Sequence, residues 1–189
     1  MNVETLNIEG AKKLTFPVHE DERGFFREWF KASHLLKVDP LFTVKQANMS
    51  QSKKNVIRGI HFSVAPEGQA KLVTVICGHI TDVLIDLRIG SPTFLKVVEI
   101  ELTEDSGQAI FIPTGVGHGF LVHSELAKIV YLTSGEYSPE FEKSICPTDS
   151  ELRISWKLSN LSEAVISESD ICSPSLAQLR QEGTLPNFR

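Results

Sequence analysis

Three side chains that could bind an anion and move a proton lie close together in the sequence. Arg58 and His61 are three residues apart in Arg58-Gly59-Ile60-His61-Phe62, and Lys71 follows on what the pattern predicts to be the next strand. Histidine exchanges protons near neutral pH, and arginine and lysine bind anions. If both strands border one concave surface, the three residues could form an acid–base site with a cationic wall.

Each of the two most notable histidines also has a structural interpretation. His61 could be an imidazole packed in a strand, although Arg58 and Lys71 nearby would then need partners for their charge. His118 lies among three glycines in Gly115-Val116-Gly117-His118-Gly119. Such a pattern is typical either of a tight turn or of backbone that closely approaches a bulky group.

The two histidines do not form a familiar barrel metal site. Small β-barrels that bind a metal usually supply a His-x-His pair, a later glutamate and a distant histidine. Phe62 and Ser63 follow His61, so the pair is absent from the sequence. We therefore predict that the chemistry of this chain does not depend on a metal.

Other side chains could assist catalysis or binding. Tyr131 and Tyr137 are the two tyrosines, and a phenol with a pKa near ~10 is a suitable general acid at neutral pH. Both could equally be ordinary strand or loop aromatics. Polar side chains at the ends of early strands suit phosphate, base-edge or hydroxyl recognition, or a solvated rim. They are Arg23, Glu28, Gln46, Asn48 and Arg58.

The elements that must position these residues are predicted to be short strands. Candidate strands span 13–18, 25–30, 43–50, 56–63, 71–77, 79–87, 94–102, 108–112, 119–122 and 128–133. Turn-rich segments separate the later ones, including 65–68, 90–92, 104–107 and 113–115. Many strands without long intervening helices predict an all-β sandwich or barrel.

The segment 80–88 predicts which side of its strand borders the site. Thr81, Val83 and Ile85 belong to a mostly apolar set, whereas Asp82 and Asp86 alternate with them. One face is therefore expected to pack, and the other to border a polar cavity or solvent.

Two helices are expected outside the β body. A brief one is predicted over 31–38, ended by Pro40. A second is predicted over 174–182, with Ser173 as its N-cap and Gly183 just after its end.

Length and composition limit the class of protein. A chain of 189 residues with 41% hydrophobic and 23% charged residues fits one folded domain over 1–189. A net charge of −5 with scattered basic residues argues against nucleic-acid binding. No signal peptide or long apolar run is present, so we expect a cytoplasmic protein without a membrane contact. The odd number of cysteines, without CxxC spacing, favours reduced thiols.

Six ordered motifs closely resemble the dTDP-4-dehydrorhamnose 3,5-epimerase family, in register over essentially the full chain. They are Asp21-Glu22-Arg23-Gly24-Phe25-Phe26, Gln46-Ala47-Asn48-Met49-Ser50, Arg58-Gly59-Ile60-His61-Phe62, Gln69-Ala70-Lys71-Leu72-Val73, Asp86-Leu87-Arg88-Ile89-Gly90-Ser91-Pro92-Thr93-Phe94 and Gly117-His118-Gly119-Phe120. The resemblance implies a cupin-type jelly roll, a dTDP-4-keto-6-deoxyhexose substrate, no metal or organic cofactor, and a homodimer that exchanges its N-terminal strands.

The resemblance also implies a role for particular residues. His61 matches the general base, Asp170 the carboxylate that orients it, Tyr131 the general acid and Lys71 the group beside the C4 oxygen. Positions that contact the nucleotide, diphosphate or sugar are matched by Arg23, Glu28, Gln46, Asn48, Arg58, His118 and Glu142. Ser169 departs from the family, several members of which carry a basic residue there.

Several functions remain open at this point. The leading hypothesis is epimerisation at C3 and C5 of the keto sugar. A mono-epimerase acting on C3 or C5 alone, a non-catalytic sugar-nucleotide-binding cupin and a metal-dependent cupin dioxygenase are the alternatives.

Overall fold

The computed structural model describes residues 1–64 and 68–188, which form thirteen strands and three short α-helices. The strands are β1 (Asn2–Thr5), β2 (Lys12–Thr15), β3 (His19–Asp21), β4 (Gly24–Phe26), β5 (Gln46–Lys53), β6 (Ile57–Ser63), β7 (Lys71–Cys77), β8 (His79–Asp86), β9 (Val97–Thr103), β10 (Gln108–Ile112), β11 (Val116–Val122), β12 (Leu126–Thr133) and β13 (Glu142–Ser144). The helices are α1 (Ala32–Leu35), α2 (Glu168–Ile171) and α3 (Leu176–Glu182). The predicted all-β architecture is confirmed. The predicted turn at 65–68 falls mostly on residues outside the described ranges.

Two antiparallel sheets form the body of the molecule. The six-stranded sheet has the order β1-β2-β10-β7-β12-β5, and the five-stranded sheet has the order β13-β6-β11-β8-β9. The strands β3 and β4 pair with each other as a separate hairpin. Consequently β6 and β7, which are neighbours in sequence, lie in different sheets.

Apolar side chains from the two sheets meet in an inner core. Val73 and Ile129 from the six-stranded sheet pack in one cluster with Ile80, Leu84 and Phe120 from the five-stranded sheet. Burying such side chains stabilises a sandwich by roughly 1.5–3 kcal/mol each. Within the described residues, no helix is long and apolar enough to cross a bilayer.

The alternation along β8 separates two environments, as predicted. Val83 and Ile85 lie on the outer face of the five-stranded sheet, where Trp156 and Leu176 of the C-terminal segment cover them. Asp82 lies on the inner face and is completely buried. The face that the sequence marked as polar therefore borders the interior of the sandwich.

Some boundaries differ from the prediction for local reasons. The strand predicted over 25–30 ends at Phe26. The last helix begins at Leu176, with Ser175 rather than Ser173 as its N-cap. Ser175 Oγ accepts from the Gln178 N–H, and the Gln178 side chain accepts from the Ser175 N–H, so a capping box fixes the start. Gly183 ends the helix as predicted, at φ +64°.

An extra residue in β6 places Arg58 and His61 on the same side of the strand. Residues three apart on a regular strand point to opposite faces. Here His118 pairs with His61 and Phe120 pairs with Arg58, so two steps along β11 correspond to three along β6. This β-bulge reverses the alternation once, and both side chains line one cavity.

The bulge depends on glycine at position 59. Gly59 has φ +111°, and a Cβ there would lie 2.6 Å from the His118 carbonyl oxygen and 2.7 Å from Gly119 Cα. A Cβ on Gly119 would in turn lie 2.7 Å from the Arg58 carbonyl oxygen. Gly119 therefore serves close backbone approach, whereas Gly115, at φ +82°, lies in the turn that precedes β11. Each of the two predicted interpretations holds for one of these glycines.

We expect Gly59→Ala to lower the free energy of unfolding by about 2–4 kcal/mol, because backbone strain and overpacking add. Urea unfolding at pH 7 measures this loss. Gly90→Ala is the matched control, since Gly90 also has positive φ (+86°) but has nothing within 4 Å of the added Cβ. Equal losses in the two variants would contradict the steric argument.

Candidate active site

A cavity between the two sheets collects most of the predicted chemistry. Its lining is Ser50, Arg58, His61, Lys71, His118, Gly119, Phe120, Ile129 and Tyr131. The volume is about 140 Å³. Sites that enclose whole drug-sized ligands usually measure roughly 300–1,000 Å³. This cavity therefore suits one ring-sized group, while the remainder of a larger ligand would extend from its open side.

His61 is held by a carboxylate from a distant part of the chain. His61 Nε2 lies 2.8 Å from Asp170 Oδ1, and the Gly59 N–H donates to Asp170 Oδ2 at 3.4 Å. Asp170 is almost completely buried, and Ser167 Oγ caps its short helix by accepting from the Asp170 N–H. A neutral imidazole that donates Nε2–H to this carboxylate carries its free lone pair on Nδ1.

Asp170 is ionised at neutral pH. Burial would raise the pKa of its carboxyl group, but the hydrogen bond with His61, the charge of His61 and the Gly59 N–H together outweigh burial. The pKa therefore lies below its ordinary value. An ionised Asp170 fixes the orientation of the imidazole and stabilises its protonated form.

The opposite wall of the cavity supplies a phenol and an ammonium group. Tyr131 lies on β12 and Lys71 on β7, both in the six-stranded sheet, whereas His61 lies in the five-stranded sheet. Burial raises the pKa of Tyr131, with Arg58 opposing the rise, so the phenol keeps its proton well above neutral pH. Burial lowers the pKa of Lys71, and Glu142 partly opposes that effect from 3.9 Å.

A second histidine–carboxylate pair lies beside the first. His118 pairs with His61 across the strands, and its Nε2 lies 2.7 Å from Asp82 Oδ1. Asp82 is fully buried, and its Oδ2 has no hydrogen-bond partner. The sequence analysis assigned no role to Asp82. The alternation along 80–88 was the signal that pointed to the site, since it predicted a polar face for this strand.

The remaining predicted binding residues lie at different distances from the cavity. Glu142 contacts Lys71 and accepts from Gln69 Nε2 at 2.6 Å. Gln46 and Asn48 are half-buried on β5, and Gln46 Nε2 donates to Asn48 Oδ1 at 2.8 Å. Asn48 pairs with Tyr131 across β5 and β12. Gln46 and Asn48 therefore extend the polar surface from the cavity along β5.

Arg23 and Glu28 are not brought to the cavity within this chain. Arg23 is 84% exposed and pairs with Asp21 in the β3–β4 hairpin. Glu28 is exposed just after that hairpin. Neither residue lines the cavity that contains His61.

One group of three potential metal ligands occurs in the part of the chain that the structure describes. It comprises His79, Glu101 and His123, none of which lines the His61 cavity. Within the cavity, His61 and His118 each contact a different carboxylate.

The fold and this arrangement define a class of protein. A β-sandwich cavity with a histidine–aspartate pair on one wall and a tyrosine and a lysine on the other carries the groups that acid–base enzymes use. Comparison with known proteins gives the family. Residues 5–178 match the sequence profile of dTDP-4-dehydrorhamnose 3,5-epimerase.

Full-length relatives agree with this profile. The chain is 36% identical to a dTDP-4-dehydrorhamnose 3,5-epimerase of Mycobacterium tuberculosis, covering 100% of this chain and 94% of the relative. It is 37% identical to a dTDP-4-dehydrorhamnose 3-epimerase of Streptomyces niveus, covering 100% and 90%. A solved structure of NovW, a 4-keto-6-deoxy sugar epimerase from Streptomyces spheroides, superposes with a TM-score of 0.93 at 37% identity, covering 100% and 94%. The chain belongs to the dTDP-4-dehydrorhamnose 3,5-epimerase family.

The lowered pKa of Asp170 predicts how stability depends on pH. The ionised carboxylate stabilises the fold above its unfolded-state pKa of about 3.8, and this contribution is lost as the pH falls through the lower folded-state value. We expect Asp170→Asn to lower the unfolding free energy at about pH 5 by roughly 1–3 kcal/mol. The difference from wild type should shrink toward about pH 2.5.

Denaturant titrations at several pH values measure this difference. Glu168→Gln is the control, because Glu168 is exposed in the same short helix and should change stability little at any pH. A difference between Asp170→Asn and wild type that grows on acidification would contradict the assignment.

Proposed function

We propose that this enzyme epimerises a dTDP-4-keto-6-deoxyhexose at the carbons beside the ketone, with His61 as base and Tyr131 as acid. The observation that carries the proposal is the position of His61 and Tyr131 on opposite walls of one cavity. The names of the relatives support the substrate class, since they are epimerases of dTDP-4-dehydro sugars and of a 4-keto-6-deoxy sugar.

The ketone makes the reaction possible. A proton on a carbon next to a carbonyl group can be removed when charge on the resulting enolate oxygen is stabilised. A positioned donor or cation at such an oxygen is typically worth about 3–4 kcal/mol, and the buried ammonium group of Lys71 suits this role. The proton leaves and another returns, so the sugar undergoes no net oxidation or reduction.

Opposite walls determine the stereochemical outcome. His61 Nδ1 removes a proton from one face of the ring, and the Tyr131 hydroxyl delivers a proton to the other face. Asp170 stabilises the imidazolium that forms. The raised pKa of Tyr131 supports this assignment, because a proton donor must remain protonated at neutral pH. A base and an acid on one face would only return the original configuration.

The cavity has room for the sugar ring, and the polar residues around it suit the nucleotide. Arg58 lines the cavity and is exposed, so its guanidinium group could bind a diphosphate oxygen. Gln46 and Asn48 offer amide groups for hydroxyl or base recognition along β5. Ser169 is uncharged where several members of the family carry a basic residue. We therefore assign Arg58 the larger share of diphosphate binding.

Epimerisation at a single carbon is the second candidate. The observation in its favour is the similarity to a 3-epimerase at 37% identity, which matches the similarity to the 3,5-epimerase of M. tuberculosis. The two candidates differ only in which ring protons exchange with solvent.

Proton NMR in deuterated water tests the reaction and separates the candidates. On the dTDP-4-keto-6-deoxyhexose we expect solvent deuterium at both C3 and C5 for double epimerisation, and at one of them for a mono-epimerase. His61→Ala should slow exchange by at least about 100-fold, because no base remains. Tyr131→Phe should still exchange a proton but should not accumulate the inverted sugar.

Tyr137→Phe is the matched control, since Tyr137 is the other tyrosine and is 63% exposed outside the cavity lining. If folded wild-type protein leaves the C3 and C5 protons unexchanged, the proposal is wrong. Exchange that survives His61→Ala would assign the base elsewhere.

We also propose that the active enzyme is a homodimer in which the β3–β4 hairpin of each subunit completes the site of its partner. Arg23 and Glu28 lie on and after this hairpin, away from their own cavity. Phe26 on the hairpin and Met49 on β5 are each 65% exposed. β5 is also an edge strand of eight residues, and a long uncovered edge favours pairing with another chain.

Mixing two inactive variants tests the exchange. In a dimer of one His61→Ala chain and one Arg23→Ala chain, one site carries both substitutions and the other carries neither. Co-expression should therefore restore about a quarter of wild-type activity in the unfractionated mixture, since half of the dimers are mixed and half of their sites are intact. Mixed dimers isolated through two different tags should show about half of wild-type activity.

The control mixes His61→Ala with Lys71→Met. Both residues lie in the same cavity, so every mixed dimer carries one substitution in each site and activity should stay low. If neither mixture regains activity, the proposed exchange of hairpins between subunits is wrong. A monomer by light scattering at assay concentration would contradict it as well.

A further inference from the structure

Three side chains with metal-ligating atoms converge on the outer face of the five-stranded sheet. The ligating atoms of His79, Glu101 and His123 all lie within 4.8 Å of one another. Glu101 Oε2 lies 2.6 Å from His79 Nε2 and 3.8 Å from His123 Nε2. Both imidazoles therefore face the same carboxylate oxygen.

The sheet itself brings these residues together. His79 begins β8, and Glu101 on β9 pairs with Thr81, the next residue of β8 on the same face. His123 directly follows β11 and donates its N–H to the His79 carbonyl oxygen at 3.0 Å. Ligands on three hydrogen-bonded strands have fixed relative positions, as a metal site requires.

Glu101 is oriented through its other oxygen. Oε1 accepts from the Lys157 ammonium group at 2.6 Å and from the Thr81 hydroxyl at 2.8 Å, so Oε2 remains for the two histidines. The contact with Thr81, which is buried in the sheet, is of the kind that holds ligating carboxylates in known metal sites. Lys157 also contributes a positive charge that would oppose a bound cation, but its side chain is 46% exposed and can move away.

We propose that His79 Nε2, His123 Nε2 and Glu101 Oε2 bind a divalent metal ion of the zinc class, with water in the remaining position. Two imidazoles and one carboxylate suit Zn²⁺, Co²⁺ or Ni²⁺ much better than Mg²⁺. Zinc bonds of about 2.0–2.2 Å hold neighbouring ligand atoms roughly 3.3 Å apart. The two distances from Glu101 Oε2 to the histidine Nε2 atoms, 2.6 and 3.8 Å, lie on either side of this value. Small shifts of these partly exposed side chains would therefore bring the ligand atoms to zinc-binding distances. His123 Nε2, which lies 2.6 Å from the Thr81 hydroxyl, would exchange that contact for the metal.

This cluster is separate from the proposed catalytic cavity. Thr81 and Asp82 are neighbours on β8 and point to opposite faces of the sheet. Asp82 contacts His118 in the cavity, whereas Thr81 contacts Glu101 and His123 in the cluster. A metal there would link β8, β9 and the end of β11, and would stabilise the folded state.

Zinc titration of untagged, chelator-stripped protein tests the proposal. We expect saturable binding of one Zn²⁺ per chain, and a rise in the midpoint of thermal unfolding with Zn²⁺. His79→Ala, His123→Ala and Glu101→Gln should each weaken binding at least about tenfold. Lys157→Met should tighten it about fivefold, since it removes a competing charge at close range. Cobalt should give the visible absorption of a four-coordinate site, and Mg²⁺ should not compete.

His19→Ala is the control for loss of a histidine, because His19 is exposed and lies outside the cluster. Circular dichroism establishes whether each variant folds. If a ligand variant does not fold, the effect of Lys157→Met on zinc binding still tests the proposal. No saturable Zn²⁺ binding by wild type would overturn the proposal. So would binding that is lost in His61→Ala but kept in the cluster variants, or weaker binding by folded Lys157→Met.

Discussion

The architecture of the site depends on one steric constraint, the close contact between the backbones of β6 and β11 at Gly59 and Gly119. The contact accommodates an extra residue in β6, and that residue directs Arg58 and His61 into the same cavity. Without it, the regular alternation of a strand would point one of them to the opposite face of the sheet. Arg58 and His61, for which we propose anion binding and proton removal, can therefore act on one ligand only because two glycines let the backbones approach within contact distance.

His61, the base that we propose, also depends on a part of the chain 109 residues away in sequence. Asp170 reaches His61 because the C-terminal segment packs on the outer face of the five-stranded sheet, where Trp156 and Leu176 are buried. The apolar contacts that hold this segment therefore also hold Asp170 in place against the imidazole of His61. If Asp170 positions the proposed base, loss of packing there should reduce activity before it unfolds the sandwich, because a displacement of about 1 Å in a catalytic geometry can cost about 100-fold in rate.

The sequence predicted the fold better than it predicted the site. Turn residues between short apolar runs gave the bounds of β7 and β10 correctly, because strand and turn preferences are local. The bulge at Gly59 and the Asp82–His118 pair depend on contacts between strands, which no local pattern encodes. Asp170 could be connected with His61 only through the family resemblance. Arg23 and Glu28 show the same limit, because we propose that the cavity they serve belongs to another chain.

In the proposed mechanism, the arrangement of the cavity walls limits how many carbons of the sugar ring are inverted. The two acidic carbons of a 4-keto sugar lie on either side of one carbonyl group, so a single Lys71 can stabilise either enolate. His61 can face only one of these carbons at a time. Double inversion therefore requires the ring to rearrange between the two proton transfers, whereas single inversion requires one pose. Phe120 and Ile129 line the cavity of about 140 Å³ in which we place the ring. We therefore propose that the shape of these apolar walls, rather than the acid and the base, sets the number of inversions.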